Sequence, residues 1–384
     1  MTARATHLGN WRETPHSRWA FHHVRELIPT TNIPASLEAA PWNLEARDFN
    51  NVRIEGFGKQ HCSLTEMLTA SESDAFLVVH DGQIAFEWYA DYYNGAEPHI
   101  VFSVSKSITG LLTGILVDKE IINPTLSVAH YLPETKRCGY GECTVQHILD
   151  MTAGIEFDES YLDTTGQYAK YRVATGWNPA TAESPVMGLY EFLLTLGSNN
   201  IPHGHTFQYL SPNSDLLGWV LERAANQPYA ELLSRHLWQP VGAETDAYIT
   251  VDRYGAARSA GGICITLRDL GRVGELMRLD GRSNDRQVVP IFWIDDTLLN
   301  GDPVAWQRGS FSQLLPNGRY RNKWYQTGND HNAFCAIGIH GQWIYVDPIA
   351  AVTIVKLSSQ TLPIDDELDS STLSAFHQIA CEFV

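Results

Sequence analysis

Residues 102–117 constrain the fold most strongly, because a short polar motif, FSVSKS, leads directly into an apolar segment at 108–117. This pattern is typical of a buried helix with Ser103 and Lys106 in its first turn. The two residues are three positions apart, so their side chains lie on one face and the amine can reach the hydroxyl. A lysine that burial keeps neutral can accept a serine proton. The motif therefore predicts an activated serine, and the amides of the first turn offer an oxyanion site.

Length and charge limit the class of protein. The chain has 384 residues and exceeds the roughly 250 to 300 residues of a single core, so two lobes are expected. Its net charge of −17 disfavours nucleic acid and anionic membranes as partners, because both attract clustered Lys and Arg. No window approaches the roughly 18 apolar residues of a transmembrane helix. The first residues lack the apolar core of a secretory signal, so we expect a cytoplasmic protein.

Metal and disulfide chemistry are not indicated by the sequence. The six cysteines are scattered without Cys-x-x-Cys spacing, which favours free thiols. The histidines at 22–23 and 203–205 lack carboxylate or thiolate partners at ligand spacing, so we expect them on the surface. No glycine-rich nucleotide-binding motif is present. We therefore expect neither a metal nor a cofactor.

Strand patterns lie at both ends of the chain, with helical patterns between them. Residues 75–89 contain two β-rich runs joined by Asp-Gly, and residues 343–357 predict a second hairpin. We predict an α+β fold with one antiparallel sheet built from both ends, flanked by helices, and an inserted all-helical domain. The predicted helices are 108–119, 145–151, 189–196, 214–225, 229–237, 267–278 and 370–383. The predicted parts are an extension wrapped on the body (1–70), an α/β domain (71–104 and 251–384) and a mostly helical domain (105–250).

The segment at 154–177 is polar, rich in tyrosine and longer than a connection requires, so we predict a functional lid loop. Lys170 and Arg172 in this loop could present a positive patch to a bound substrate. Substrates with a free carboxylate would then be preferred. The alternative is that both side chains are solvated and point away from the cleft.

Tyr209 is a candidate partner of Ser103, since it lies just before the helix predicted at 214–225. A tyrosine held beside a lysine ammonium has its phenolate favoured, so it could relay a proton. The alternative is a turn that packs one aromatic ring into the core, with a polar cap from Ser211 or Asn213.

Residues 337–342 (IGIHGQ) are a second candidate, just before a predicted strand. A glycine-flanked strand edge lets a substrate approach the backbone, and one amide there could complete an oxyanion hole with that of Ser103. An ordinary strand entry is the alternative. Residues 326–328 (QTG) look more like a Lys-Thr-Gly motif but lie in a turn-like context, so the position of this third motif stays open.

Together these segments resemble the serine hydrolases of the class C β-lactamase and D-alanyl-D-alanine peptidase superfamily, over residues 70–360. The motifs SVSKS at 103–107, FQY at 207–209, GIHGQ at 338–342 and VKLSS at 355–359 are most similar to the 6-aminohexanoate-dimer hydrolase branch. The resemblance implies a β-lactamase/transpeptidase-like fold. It also implies Ser103 as nucleophile, Lys106 as base, Tyr209 as proton relay, the Ser103 and Ile339 amides as oxyanion hole, and Tyr161 as the lid tyrosine that contacts the scissile group. The predicted substrate-binding residues are Tyr161, Ser211, Gly338, His340, Arg172, Trp177 and Tyr325.

The chain departs from that superfamily because it lacks a Lys-Thr-Gly motif. In the superfamily, the lysine of this motif binds the carboxylate of a penicillin. β-Lactamase activity should therefore be weak or absent. We predict a cofactor-free serine hydrolase that cleaves small linear amides or esters through an acyl-enzyme on Ser103. The alternatives are a D-amino-acid-specific peptidase, a weak β-lactamase and a catalytically silent relative that binds a ligand in the same cleft. The number of subunits stays open, with a homodimer as one option.

Overall fold

The structure is a computed structural model that describes residues 5–39, 41–49, 52–55, 61–180 and 187–384. Its strands are β1 Thr30–Ile33, β2 Asn43–Leu44, β3 Ile54–Glu55, β4 His61–Cys62, β5 Ser73–His80, β6 Gln83–Tyr89, β7 His99–Ile100, β8 Ala247–Thr250, β9 Ile263–Ile265, β10 Arg282–Ser283, β11 Arg286–Gln287, β12 Arg319–Arg321, β13 Trp324–Gln326, β14 Phe334–Gly338, β15 Gln342–Asp347 and β16 Val352–Ser358. Its α-helices are α1 Ser17–Ala20, α2 Leu64–Ala70, α3 Val104–Asp118, α4 Val128–Tyr131, α5 Val145–Leu149, α6 Gln167–Ala174, α7 Leu189–Leu193, α8 Ser211–Ala225, α9 Tyr229–Leu233, α10 Leu267–Arg278, α11 Ile291–Leu299, α12 Pro303–Gln307 and α13 Asp366–Cys381.

The main sheet has the strand order β12-β13-β14-β15-β16-β5-β6-β2 and is antiparallel except for the β2–β6 pair. The pairing of β16 with β5 joins the two ends of the chain, as predicted. The first hairpin is also confirmed, since Asp81 and Gly82 both have positive φ values, 45° and 78°. This is the backbone that a tight hairpin turn requires and that Asp-Gly favours.

Helices cover both faces of the main sheet. Alternate side chains of a strand point to opposite faces, so each strand contributes to the packing on both sides. On one face, Leu77 and Val79 of β5 belong to the same buried cluster as Leu270 of α10. On the other, Phe76 and Val78 belong to a cluster with Phe376 of α13. The sheet is therefore a buried middle layer.

The central helix α3 is buried along nearly its whole length and packs against α8 and the strands β14 and β15. It begins at Val104, so Lys106 lies in its first turn as the motif predicted, although the apolar pattern begins only at 108. Ser103 is the residue just before the helix. Two glycines allow this close packing: a Cβ at Gly110 would lie 2.2 Å from the Asn322 carbonyl, and one at Gly114 would meet the Trp293 ring at 2.3 Å. The apolar run thus forms the shared core of the sheet and the helical region.

The N-terminal segment contacts the body at several places. β1 pairs with β8 in a smaller sheet of order β1-β8-β9-β7, and β2 pairs with β6. The predicted loop 154–177 differs from the expectation, because it contains helix α6. Tyr168 and Tyr171 are buried on that helix, so packing orders about a third of the segment as a helix. Among the described residues, no helix combines the length and apolar character needed to cross a bilayer.

Candidate active site

Ser103 lies at the start of α3, where the backbone is strained. The preceding residue, Phe102, has a φ of 41°, which bulky side chains adopt rarely and at an energetic cost. Rings packed around Phe102 hold this conformation: Trp11, Trp177 and His340 have centroids 6.2, 5.8 and 5.3 Å from it. The backbone at Ser103 is therefore held by the surrounding core.

Lys106 contacts the candidate nucleophile directly. Its Nζ lies 2.7 Å from Ser103 Oγ and 2.7 Å from the carbonyl oxygen of Ala260. Burial lowers the pKa of Lys106 to about 7, and the guanidinium of Arg258 adds to this effect, whereas the carboxylate of Glu159 opposes it. An amine with this pKa is neutral in about half of the molecules at pH 7 and can accept the serine proton.

The low pKa of Lys106 predicts how activity depends on pH. Since the proton acceptor is the free amine, kcat/KM should rise as pH increases through about 7 and then level off. The measurement is kcat/KM for a neutral ester between pH 5.5 and 9, corrected for spontaneous hydrolysis. A profile that is flat or falling between pH 6 and 8 would contradict the assignment of Lys106 as base.

A buried ion pair positions the carbonyl that Lys106 contacts. Asp215 and Arg258 are both fully buried and hydrogen-bonded to each other, and Tyr171 bonds to the same carboxylate. The second carboxylate oxygen of Asp215 accepts a 2.7 Å hydrogen bond from the Ala260 amide. The segment that carries the Ala260 carbonyl is therefore tied to α8.

Tyr209 lies beside Lys106, with the lysine Nζ 5.0 Å from the centre of the phenol ring. The expectation of a favoured phenolate is wrong: burial and the Glu159 carboxylate raise the pKa of Tyr209 far above its ordinary value. The hydroxyls of Ser103 and Tyr325 lie close enough to the Tyr209 hydroxyl to influence its pKa. Tyr209 can therefore act only as a neutral phenol that donates one proton while accepting another.

Gly338, at the end of β14, brings the third motif against the nucleophile. A Cβ at this position would lie 2.7 Å from the Val101 carbonyl oxygen and 3.1 Å from the Ser103 nitrogen, so a larger residue would push the strand away. Ile339 follows and lines the cleft. In the described part of the chain, neither the Ser103 nor the Ile339 amide is bonded to another protein group, so both could bind an oxyanion. The QTG segment lies away from this cleft, with Thr327 bonded to Ala333.

Ser103 opens into a cleft of about 400 Å³ that contains five of the predicted site residues besides the serine. Tyr325 and Phe311 form an aromatic wall with rings 5.6 Å apart. The start of α13 contributes a rim of the cleft that includes Asp366 and Asp369. The predicted residues in the cleft wall are Ser103, Tyr161, Tyr209, Tyr325, Gly338 and Ile339.

Four residues predicted to bind substrate are not among the described residues that line this cleft. Arg172 is buried and bonded to the carbonyl of Asp163, so it offers no positive patch on the loop surface. Trp177 packs in the core and donates a hydrogen bond to Thr250. Ser211 bonds to Glu159 and thus acts on the site only indirectly.

His340, the fourth, is buried and bonded to the backbone of Gln360. Burial lowers its pKa to about 4, so the ring is neutral. Its side chain supports Phe102 from behind and does not reach the substrate space.

Glu159 is a site residue that the sequence motifs did not single out. Its carboxylate accepts hydrogen bonds from the hydroxyls of Tyr161 and Ser211 and from the Ser211 amide. It therefore joins the segment that carries Tyr161 to the start of α8. Its proximity to Tyr161 in the sequence was the only available signal.

A family model described as Beta-lactamase matches residues 64–378. The chain belongs to the beta-lactamase family. It is 35% identical over 354 residues to 6-aminohexanoate-dimer hydrolase from Paenarthrobacter ureafaciens, a match that covers 92% of this chain and 88% of that protein. The motif-based resemblance is thereby confirmed.

Solved structures agree with this assignment to the beta-lactamase family. A Bacillus anthracis protein named "Putative 6-aminohexanoate-dimer hydrolase" superimposes with a TM-score of 0.91 at 25% identity, over 99% of this chain and 98% of that one. EstCE1, a hydrolase with promiscuous acyltransferase activity, shares the fold with a TM-score of 0.62 at 14% identity, over 81% of this chain and 96% of that one. The predicted β-lactamase/transpeptidase-like α+β fold is confirmed, and the protein is a hydrolase of the beta-lactamase family.

Proposed function

We propose that this protein is a serine hydrolase that cleaves small linear amides or carboxylic esters, as a 6-aminohexanoate-dimer hydrolase-like enzyme. The 2.7 Å contact between Lys106 Nζ and Ser103 Oγ carries the proposal, because it pairs a nucleophile with a base of suitable pKa. Six predicted site residues around one cleft support it. The cytoplasmic location and the homodimer stay predictions.

In the proposed mechanism the neutral amine of Lys106 takes the proton of Ser103 as Oγ bonds to the substrate carbonyl carbon. The carbonyl oxygen becomes an oxyanion that the amides of Ser103 and Ile339 stabilise. Tyr209 donates its proton to the leaving group and accepts one from Lys106. The bond to the leaving amine or alcohol then breaks, and water hydrolyses the acyl-enzyme by the reverse relay.

The charge on the cleft wall supports substrates that carry an ammonium group. The described lining residues include the carboxylates of Asp366 and Asp369 but no lysine or arginine. The loop composition had suggested a preference for substrates with a free carboxylate. Because Arg172 is buried and the cleft wall carries carboxylates, we propose the opposite preference. Since no described residue of this wall is a lysine or an arginine, β-lactamase activity should be weak or absent.

Replacing Asp369 with asparagine should raise KM for an ester with a terminal ammonium by up to about fivefold, about 1 kcal/mol for a partly exposed charge pair, and leave a neutral ester unchanged. Burial raises the pKa of Asp369 to about 7, so the preference for the cationic ester should increase between pH 6 and 8. The measurement is the ratio of kcat/KM for the two esters, in which the titration of Lys106 cancels. Glu367→Gln, in the same helical turn but outside the cleft wall, is the matched control. Equal effects on both esters would contradict the role of Asp369.

Replacing Tyr161 with phenylalanine should reduce amide hydrolysis more than ester hydrolysis. An amine leaves only when it is protonated, and a hydrogen bond to the scissile nitrogen assists that step. The expected difference is a barrier change of about 1 to 2 kcal/mol, measured as kcat/KM for an amide and an ester of the same acyl group. Ser211→Ala removes another hydroxyl bonded to Glu159 and controls for loss of that contact. Equal losses on amide and ester would leave Tyr161 a packing residue.

The proposal is tested with nitrophenyl esters, linear amides, D-amino-acid amides and a chromogenic cephalosporin, assayed on wild type and Ser103→Ala. We expect a burst of nitrophenol equal to the enzyme concentration, turnover of linear amides and fluorophosphonate labelling, all lost in the variant. Preferred turnover of D-amino-acid amides or of the cephalosporin would favour the peptidase or β-lactamase alternative. Ligand binding without a burst would favour the silent relative, and labelling that survives in Ser103→Ala would point to another nucleophile.

A further inference from the structure

His331, His377 and Cys381 come together at the edge of the main sheet, outside the substrate cleft. One ligand atom from each side chain lies within 4.8 Å of the others. His377 and Cys381 are one turn apart on α13, whereas His331 lies in the turn between β13 and β14. The three side chains are partly or fully exposed, so a metal ion could reach them from solvent.

Distances within this cluster are close to those of a tetrahedral metal site. His377 Nε2 lies 3.8 Å from Cys381 Sγ and 3.4 Å from a carboxylate oxygen of Asp330. Ligand bonds of about 2.0 to 2.3 Å to Zn²⁺ place neighbouring ligand atoms about 3.3 to 3.6 Å apart. Small side-chain adjustments would therefore suffice to bind an ion.

His331 has the kind of carboxylate partner that metal-binding histidines have. Its Nδ1 is 2.7 Å from a carboxylate oxygen of Asp347, a fully buried side chain that also accepts hydrogen bonds from the amides of Ile349 and Ala350. This contact fixes the proton on Nδ1 and leaves Nε2 free. Metal-binding histidines commonly have such a carboxylate partner on the second ring nitrogen.

The surroundings of the cluster are rich in negative charge. The carboxylates of Asp347, Asp330 and Glu382 all act on the Cys381 thiol. A divalent cation would neutralise this charge and favour the thiolate. The side-chain amide of Asn329 contacts Nδ1 of His377 at a long distance of 3.3 Å. Binding a metal through Nε2 would place the ring proton on Nδ1, at the cost of this one weak hydrogen bond.

We propose that His331, His377 and Cys381 form a Zn²⁺ site, with Asp330 or a water molecule as the fourth ligand. Zn²⁺ is commonly bound by imidazoles and thiolates together. Two imidazoles and a thiolate therefore suit Zn²⁺ better than the divalent ions that prefer oxygen ligands. Binding forms a sulfur–zinc bond and releases the thiol proton to solvent. This departs from the expectation of no metal site, because only His377 and Cys381 are neighbours in the sequence.

The site would fasten α13 to the turn between β13 and β14. The opposite end of the same helix supplies Asp366 and Asp369 to the cleft rim. A bound ion is therefore expected to stabilise the fold without taking part in the reaction. The prediction can be tested independently of hydrolase activity.

The test uses the full chain after treatment with a chelator and dialysis. Titration with Zn²⁺ is followed by calorimetry, titration with Co²⁺ by its thiolate charge-transfer absorption, and thermal unfolding is recorded with and without Zn²⁺. Cys381→Ser removes the thiolate ligand from an exposed position. Cys62→Ser, which removes a partly buried thiol elsewhere, is the control for loss of a thiol.

We expect one Zn²⁺ per chain, thiolate absorption with Co²⁺ and a higher Tm with Zn²⁺. Cys381→Ser should bind at least about tenfold more weakly and lose both the absorption and the Tm shift, whereas Cys62→Ser should match wild type. His377→Gln should weaken binding in the same way. Less than tenfold weakening in Cys381→Ser, or no saturable binding to wild type, would overturn the site.

Discussion

Replacing Lys106 with alanine should lower kcat by about a thousandfold or more, the upper part of the range for a positioned base. The amine lies 2.7 Å from Ser103 Oγ, and no other lysine or histidine is bonded to that hydroxyl among the described residues. Without it the serine proton has no acceptor, because Tyr209 is a neutral phenol whose raised pKa opposes ionisation. Oxyanion stabilisation and substrate binding should survive and leave a low residual rate.

The measurement is kcat for a nitrophenyl ester, together with Tm to show that the variant folds. Lys323→Met is the matched control, since Lys323 is equally buried but bonds to the Ile148 carbonyl and to Met151 and not to Ser103. It should retain kcat to within about tenfold, well outside the range for a lost base. A loss below tenfold in Lys106→Ala, or equal losses in both variants, would contradict the role of Lys106.

Replacing Asp215 with alanine should lower the free energy of unfolding by about 3 to 5 kcal/mol, because it leaves the guanidinium of Arg258 buried without its counter-ion. Asp215 also accepts hydrogen bonds from Tyr171 and from the Ala260 amide, so the variant leaves several polar groups without their partner. Since Ala260 holds Lys106 in place, activity should fall as well. Urea unfolding at pH 7 measures the stability change.

The exposed pair Arg223–Glu134 offers the matched control for Asp215. Its side chains are 45% and 33% exposed, so Glu134→Ala should change the free energy of unfolding by only about 0 to 1 kcal/mol. A loss below about 1.5 kcal/mol in Asp215→Ala would contradict the expectation that the buried guanidinium of Arg258 depends on Asp215 as its counter-ion. Asp215→Asn should fall between these values, because the amide retains the shape and one acceptor oxygen.

Several elements could be predicted because local patterns decide them. The Asp81-Gly82 turn follows from two positive φ angles, which these residues adopt at low cost. Helix α10 has the predicted bounds, Leu267–Arg278. The apolar patterns that predicted α3, α8 and α13 begin three or four residues after the helices themselves, because the first turns of these helices are polar.

The relation between Ser103 and Lys106 was readable from the sequence, since an i, i+3 spacing at a helix start decides it locally. Tyr209 and Ile339 entered through the family resemblance. The charge state of Tyr209 was predicted wrongly, because burial dominates its pKa and burial depends on segments far away in the chain. Arg172 was misplaced for the same reason, as packing turned part of the expected loop into helix α6.

The fold class, both hairpins and the contact between serine and lysine could be read from local patterns, because short-range geometry and apolar periodicity decide them. Which distant groups meet depends on the packing of the folded chain. Asp215 faces Arg258, 43 residues later, and the rim of the cleft comes from the start of α13, more than 250 residues after Ser103. The cluster of His331, His377 and Cys381 likewise requires a turn of the sheet and the last helix to pack together. Such contacts depend on how whole elements pack, and no local pattern in the sequence encodes that.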